Sequence, residues 1–314
     1  MKKRFLGNTG ISVTELCFGA LPMGPLQANI SVDTGAEIIR QALENGVNFI
    51  DTAEVYRTYP YIRKALDSFR GEVVIATKSH AESYEGMEKA ILDALKELDR
   101  DYIDIFHLHA AKVTPKVFED RAGAIECLKE YKKRGFIRAI GISTHAVDVV
   151  ERAAEVEDIE VVFPIINKLG MGIVGGGIED MLKAIKKVND AGKGMYAMKA
   201  LAGGHLINDL KDSFDFVRNL AGISSVAVGM VDLAELEINL RLFNDMEVTE
   251  LTPVPKTTKR LLISRFCKGC GACVETCPNG ALALENAQAV VDREKCLLCG
   301  YCNPVCPEFA IRLV

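Results

Sequence analysis

From about residue 10 to residue 243, short β-branched runs alternate with stretches whose apolar positions recur at intervals of three and four. The runs ELCFG (15–19), VNFID (47–51), VVIAT (73–77), IDIFHLH (103–109), IRAIGIS (137–143), EVVFPI (160–165), GMYAMKA (194–200) and SSVAVG (224–229) are apolar nearly throughout. Such runs predict strands covered on both faces. Between them, DTGAEIIRQALENG predicts an amphipathic helix with Asp33 as its N-cap and Gly46 just past its end, and YEGMEKAILDALKELD predicts another. Eight strand-helix alternations predict an α/β fold of the (β/α)8 TIM-barrel type. The rival doubly wound sheet usually has fewer strands, and no GxGxxG turn follows the first strand here. The tight GNTG before that strand predicts the tip of a small hairpin closing the barrel floor.

After Phe243 the periodicity stops. The segment NDMEVTELTPVPKTTKR, with Pro253, Pro255 and several threonines, predicts a linker. The expected organisation is a barrel over 1–243, a linker over 244–260 and a separate module over 261–314. Within the module the stretch 267–277 repeats at 296–306, an offset of 29 residues, so the module is an internal duplication.

Composition narrows the function. At 314 residues and 49% apolar the chain can build a substantial core, and its net charge of −5 without a basic block argues against nucleic acid as a partner. No apolar run is long enough to span a bilayer, and none follows Lys2, Lys3 and Arg4 to make a signal peptide, so a cytoplasmic protein without a membrane partner is expected. Eight of the ten cysteines fall between Cys267 and Cys306, and in a reducing compartment such clustering points to metal before disulfides. Cys17 and Cys127 read as small buried apolar residues.

The module's two halves, CKGCGACVETCP and CLLCGYCNPVCP, share the spacing C-x2-C-x2-C-x3-C-P. Zinc is the alternative, although four ligands suffice for it and this spacing supplies an extra thiol per half. The whole module resembles the bacterial-type two-cluster ferredoxins, small α+β iron-sulfur domains. That resemblance implies one [4Fe-4S] cluster on Cys267, Cys270, Cys273 and Cys306 and another on Cys296, Cys299, Cys302 and Cys277. Gly269, Gly271 and Gly300 are expected to let backbone amides approach the sulfurs.

The barrel half resembles the aldo-keto reductase superfamily, from LGNTGISVTELCFGALPMG through to about Phe243. NFIDTAEVYR places Asp51 at a strand end and Tyr56 in the next loop, IATK leads to Lys78, and IDIFHLH places His109 at the end of the following strand. The resemblance implies a carbonyl-reducing or alcohol-oxidising enzyme acting on a small molecule, with Tyr56 as general acid, Lys78 tuning its pKa, Asp51 orienting Lys78 and His109 positioning the carbonyl. His107 is expected to be a core histidine.

For a nicotinamide nucleotide, NADH or NADPH, the resemblance points to Ser143 and Asn167 and to the loop MKALAGG with Lys199, Leu201 and Gly203. It points also to Gly229 at the end of the eighth strand. Thr144, Phe163 and Met198 stand where the family carries other contacts, and Asp232, Glu235 and Glu237 would repel a 2′-phosphate. GMGIVGGGIED after the sixth strand reads as a flexible active-site loop or the start of a helix, and Met23, Tyr59 and Tyr61 are candidates for the substrate loops. Nicotinamide moves two electrons as hydride while each cluster moves one, so coupling the halves calls for a converter such as a flavin, or for an external redox partner protein. Two further readings stand beside the coupled enzyme: an ordinary carbonyl reductase with structural or sensing clusters, and an electron-transfer protein whose barrel does not turn over.

Overall fold

The computed structural model describes residues 1–248, 260–308 and 310–313. Of the expected linker, residues 249–259 lie outside the described residues. The chain opens with an antiparallel pair, β1 (Lys3–Phe5) and β2 (Ser12–Thr14), joined through the GNTG turn. Leu6, Ile11 and Val13 of this hairpin are buried against Cys17, Phe49, Val74 and Tyr196, which closes one end of the barrel.

Eight parallel strands then close on themselves: β3 (Leu16–Gly19), β4 (Phe49–Asp51), β5 (Val74–Ser79), β6 (Ile103–His109), β7 (Ile137–Thr144), β8 (Val161–Pro164), β9 (Gly194–Ala197) and β10 (Ile223–Gly229), with β10 pairing back onto β3. Every residue of β5 and β6 is buried, because one strand face meets the barrel interior and the other meets the helices. The expected barrel is observed. β9 stops at Ala197 rather than Ala200, since the chain turns there into a loop with Lys199 and Ala202 at positive φ.

The helices are α1 (Val32–Glu44), α2 (Tyr59–Leu66), α3 (Tyr84–Leu98), α4 (Val117–Asp120), α5 (Ala122–Lys133), α6 (Val147–Ala153), α7 (Ile178–Asp190), α8 (Leu210–Arg218) and α9 (Leu233–Phe243). The N-cap of α1 is Ser31, not Asp33: the Ser31 hydroxyl accepts from the Thr34 amide at 3.1 Å, and Asp33 lies in the first turn. The glycine-rich stretch after β8 ends as a helix start, the Gly177 amide donating to Asp180 at 2.9 Å.

The module pairs β11 (Leu261–Ile263) with β14 (Ile311–Leu313) and β12 (Leu282–Glu285) with β13 (Gln288–Val291), around one short helix, α10 (Ala272–Thr276). Its small core is Leu261, Ala281, Leu282, Ala289 and Ile311 together with Cys273, Cys277 and Cys302. The two cysteine loops face different ways. In the first, Lys268 and Cys270 are exposed. In the second, the equivalent of Lys268 is Leu297, which is 1% exposed and sits inside the barrel's own apolar core.

Candidate active site

The barrel strands deliver their polar side chains to one end. β4 finishes on Asp51, and the chain then makes a single 3-10 turn, Glu54–Tyr56, that Arg57 ends in the left-handed region. A hydrogen bond of 2.7 Å between the Thr52 and Thr58 hydroxyls pins the two ends of this turn, and Ser79 donates to Glu54 at 2.6 Å. Tyr56 is thereby held over the end of the barrel, buried beside Leu26 and Ala53.

Lys78 on β5 is 1% exposed, and its ammonium donates to Asp51 Oδ2 at 2.7 Å, Asp51 Oδ1 at 2.9 Å and the Thr52 carbonyl at 2.6 Å. Burial pulls the Lys78 pKa down and pushes that of Asp51 up, each opposed by the other's charge. Asp51 accepts a further bond from the Tyr196 hydroxyl at 2.8 Å, and that hydroxyl also lies 2.8 Å from His107 Nε2. His107 is thus a buried core histidine, as expected, but it stands in a chain that runs through Tyr196 to the ion pair. Tyr196 escapes the sequence reading because it sits in the apolar run of β9.

The four residues Asp51, Tyr56, Lys78 and His109 are brought together, with one departure from expectation. The Lys78 ammonium lies 5.0 Å from the centre of the Tyr56 ring, over its face, and its three donors are spent on Asp51 and Thr52. The Tyr56 pKa is raised well above its ordinary value, chiefly by burial and then by Tyr301 and Asp51. In this state the phenol is a firmly protonated donor rather than a tuned one.

His109, at the end of β6, stacks on the ring of His80 with centroids 4.1 Å apart, and Arg121 donates to its backbone carbonyl at 3.0 Å. Burial holds His109 well below its ordinary pKa, with His80 and Lys78 adding to the effect. His107 is lowered in the same way, and burial pulls His145 down to about 4. The unfolded chain protonates these histidines near 6.5 while the folded chain refuses the proton, so stability falls as pH drops below about 6.5. Each refused proton contributes a slope of about 1.4 kcal/mol per pH unit. Urea unfolding between pH 7 and 5.5 should show the midpoint falling with acid, and His145→Gln should flatten the slope; a midpoint independent of pH would contradict the burial of these rings.

The residues expected to hold a nucleotide serve other ends here. Asn167 spends its side chain on its own loop, accepting from the Leu169 and Met171 amides at 3.2 and 3.0 Å and donating to the Met171 carbonyl at 2.9 Å. The Ser143 hydroxyl makes a long contact of 3.5 Å to the Leu108 carbonyl, and Thr144 accepts from the Ala146 amide. Phe163 stacks on Tyr196 at 3.9 Å, and Met198 makes backbone bonds to both Pro164 and Ile166. The Leu201 carbonyl accepts from Gly204 and Leu206 within its own loop, and a Cβ on Gly229 would strike Pro22 at 2.2 Å. Asp232 caps α9 by accepting from the Glu235 amide, and the Glu235 carboxylate accepts from the Val231 amide one residue before the cap. Met23, Tyr59 and Tyr61, expected in the substrate loops, are buried packing residues; Tyr59 bonds Thr77 at 2.7 Å and Tyr61 the Ile30 carbonyl at 2.9 Å.

The glycine-rich loop does form a cradle, and the protein's own second cysteine loop fills it. A Cβ on Gly203, at φ +70°, would lie 2.3 Å from the Leu297 carbonyl oxygen, and one on Gly172 would lie 2.3 Å from the Leu297 side chain. His205 Nε2 meets the Cys296 carbonyl at 2.9 Å. Lys199 adds its positive charge beside Cys296 and Cys299. With the loop docked, the residues present do not fit a nicotinamide nucleotide.

They do fit two clusters. The thiol of Cys273 has Cys267, Cys270 and Cys306 as its electrostatic neighbours, and that of Cys302 has Cys299, Cys296 and Cys277, which are the two expected sets. Cys277, Cys296, Cys299 and Cys302 line one small cavity of about 20 Å³. Backbone amides already point at the sulfurs: Ala289 at Cys267, Ala281 at Cys277 and Ala310 at Cys306, each at 3.3 Å, and Gly269 at Cys267 at 3.5 Å.

The comparisons with known proteins agree with this two-part architecture. The aldo/keto reductase family matches residues 15–221 and a 4Fe-4S dicluster domain matches residues 266–310. The chain belongs to the aldo/keto reductase family, and it is an oxidoreductase carrying a 4Fe-4S dicluster domain. It is 26% identical over 286 residues to L-galactose dehydrogenase of Arabidopsis thaliana, covering 78% of this chain and 88% of the relative. Against methylglyoxal reductase of Escherichia coli it is 33% identical over 135 residues, 42% of this chain and 46% of the relative. The chain spans about half the length of several other curated relatives. Among solved structures, a putative aldo-keto reductase from Pseudomonas aeruginosa superposes with a TM-score of 0.67 at 23% identity over 77% of this chain and 94% of that one. An aldo-keto reductase from Bacillus halodurans gives 0.63 at 22%, over 77% and 90%. Among the described residues no helix is long and apolar enough to cross a membrane.

Proposed function

We propose that the barrel interconverts a small carbonyl compound and its alcohol, with the electrons passing through the cysteine module to or from an external one-electron carrier protein. The observation that carries this reading is the orientation of the two cysteine loops. Cys270 of the first is exposed, whereas the second sets Tyr301, two residues past Cys299, with its hydroxyl 3.3 Å from that of Tyr56. The module therefore runs from solvent to the catalytic end of the barrel. When bound, two [4Fe-4S] clusters supply one-electron transfer.

Reducing a carbonyl to an alcohol takes two electrons and two protons: the carrier protein gives the electrons one at a time, Tyr56 gives the proton that ends on oxygen, and solvent gives the proton that ends on carbon. Tyr56 holds one proton at its hydroxyl, in hydrogen-bond reach of where a substrate oxygen would lie beside His109 Nε2. His109, neutral and fixed by its stack on His80, donates to that oxygen from Nε2. Lys78, anchored by Asp51 and Thr52, places a positive charge under the Tyr56 ring, where it favours negative charge growing at the phenol as the proton leaves. A nicotinamide nucleotide joins this scheme only with the second cysteine loop withdrawn from Gly203.

The test uses anaerobic, cluster-loaded protein with reduced methyl viologen as electron donor and methylglyoxal, the substrate in the name of the Escherichia coli relative, as a first carbonyl probe. Tyr56→Phe should lower turnover by roughly 10²–10⁴-fold while leaving the visible cluster absorbance unchanged. Full turnover in that variant, or turnover with NADH and none with viologen, would count against the reading.

A further inference from the structure

The two halves of the module are not equivalent where they differ from each other. Position for position, Lys268, Gly269 and Ala272 of the first cysteine loop become Leu297, Leu298 and Tyr301 in the second. The changes put apolar and aromatic side chains on the loop that meets the barrel. Leu297 is buried in the barrel core, a Cβ on Gly300 would lie 2.3 Å from the Leu26 carbonyl oxygen, and the Gly203 loop closes on the Leu297 backbone. Held at these points, the loop delivers one side chain to a defined place.

That side chain is Tyr301. Its hydroxyl lies 3.3 Å from the Tyr56 hydroxyl and 3.1 Å from His109 Nε2. Its ring meets His109 edge-on, centroids 6.0 Å apart at 81°, and Tyr56 meets the same histidine at 6.0 Å and 85°, so the two phenols flank it. The apolar wall of Leu21, Leu26, Ala53 and Val55 completes the enclosure. The Nδ1 atom of His109 is buried and has no hydrogen-bond partner among the described residues, so Nε2, which faces the Tyr301 hydroxyl, is the nitrogen that carries the proton.

We propose that Tyr301 is an internal ligand of the barrel's oxygen-binding point, so that the Tyr301 side chain and a small ring-bearing carbonyl or alcohol exclude each other there. The phenol presents an oxygen on a flat ring to Tyr56 and His109, the same two groups that grip a substrate oxygen in the function proposed above, on which this inference rests. A substrate must displace the Tyr301 side chain, and its apparent affinity is reduced by the fraction of protein in which that side chain holds the point. The closest free mimic of the internal ligand is p-cresol, the tyrosine side chain cut at its Cβ.

The test reads binding rather than turnover, so an inactive barrel would still show the effect, and an active barrel that failed it would keep the proposed function without the plug. Binding of p-cresol and of toluene is measured by calorimetry on anaerobic, cluster-loaded wild type, Tyr301→Ala and Gly203→Val. The last displaces the loop through the Leu297 backbone without touching Tyr56 or His109. Tyr301→Ala should bind p-cresol about tenfold tighter than wild type or better, and should prefer it to toluene by about tenfold, the worth of the hydrogen bonds. Gly203→Val should move in the same direction, and it decides the matter if Tyr301→Ala does not fold. Equal p-cresol affinity in wild type and variants, or equal affinity for toluene and p-cresol in the variants, overturns the proposal.

Discussion

Lys78→Met should destabilise the protein by about 3–5 kcal/mol, the cost of stranding one member of a buried ion pair. The size follows from geometry. Lys78 and Asp51 are 2.7 Å apart with 1% and 7% of their side chains exposed. Without the ammonium, the Asp51 carboxylate keeps the Tyr196 hydroxyl as its one side-chain donor among the described residues, and the Thr52 carbonyl loses its bond to Lys78. Asp51→Asn in the same chain should recover much of the stability, because the remaining buried groups are then neutral, yet it should restore no turnover, since the positive charge beneath Tyr56 is gone. Urea unfolding of the single and double variants checks both statements. A single variant within about 1 kcal/mol of wild type would place the pair in the range of exposed salt bridges and refute the burial argument.

The barrel was legible because its strands are buried on both faces, which turns each into an unbroken apolar run, and because eight such runs alternate with helical periodicity. Boundaries were less so. Ser31 rather than Asp33 caps α1 because both are good caps and only the backbone at Ser31, extended with ψ 150°, aims its hydroxyl at Thr34. β9 is shorter than its apolar run because Met198 and Ala200 continue the pattern while Lys199 at φ +63° breaks the strand, and no local rule forecasts a lysine in that conformation.

The site divides in the same way. Asp51, Tyr56, Lys78 and His109 lie in short motifs at strand ends, where position along the chain implies position in space. Tyr196 and Tyr301 do not. Tyr196 hides in an apolar strand, although its place on β9 gave it an inward face. Tyr301 lies 245 residues from Tyr56 and 192 from His109, and its role depends on how two modules dock, which is a matter of complementary shape at Gly172, Gly203 and Gly300. The signal that was present was asymmetry: in a duplicated motif whose cysteines are invariant, the second copy alone replaces a lysine and an alanine with a leucine and a tyrosine.

Removing iron should unfold the module while leaving the barrel intact. The strands β11 to β14 are three or four residues long, α10 is five, and three of the eight fully buried members of the module's core are cysteines themselves. Such a core cannot offset the chain entropy of the segment unaided, and domains this small usually depend on metals or disulfides. Ligand thiolates that also form the core make cluster binding and folding one event, and a structural metal contributes on the order of 10 kcal/mol. Anaerobic chelation should release about eight irons, two sets of four, and abolish amide exchange protection over 261–308 while β3 to β10 keep theirs. The Leu297 and Tyr301 contacts with the barrel should go with it, since they are held only by the shape of the second cysteine loop. If protection of the module survives complete loss of iron, its fold stands on its apolar contacts alone and the cysteines are cargo-holders rather than structure.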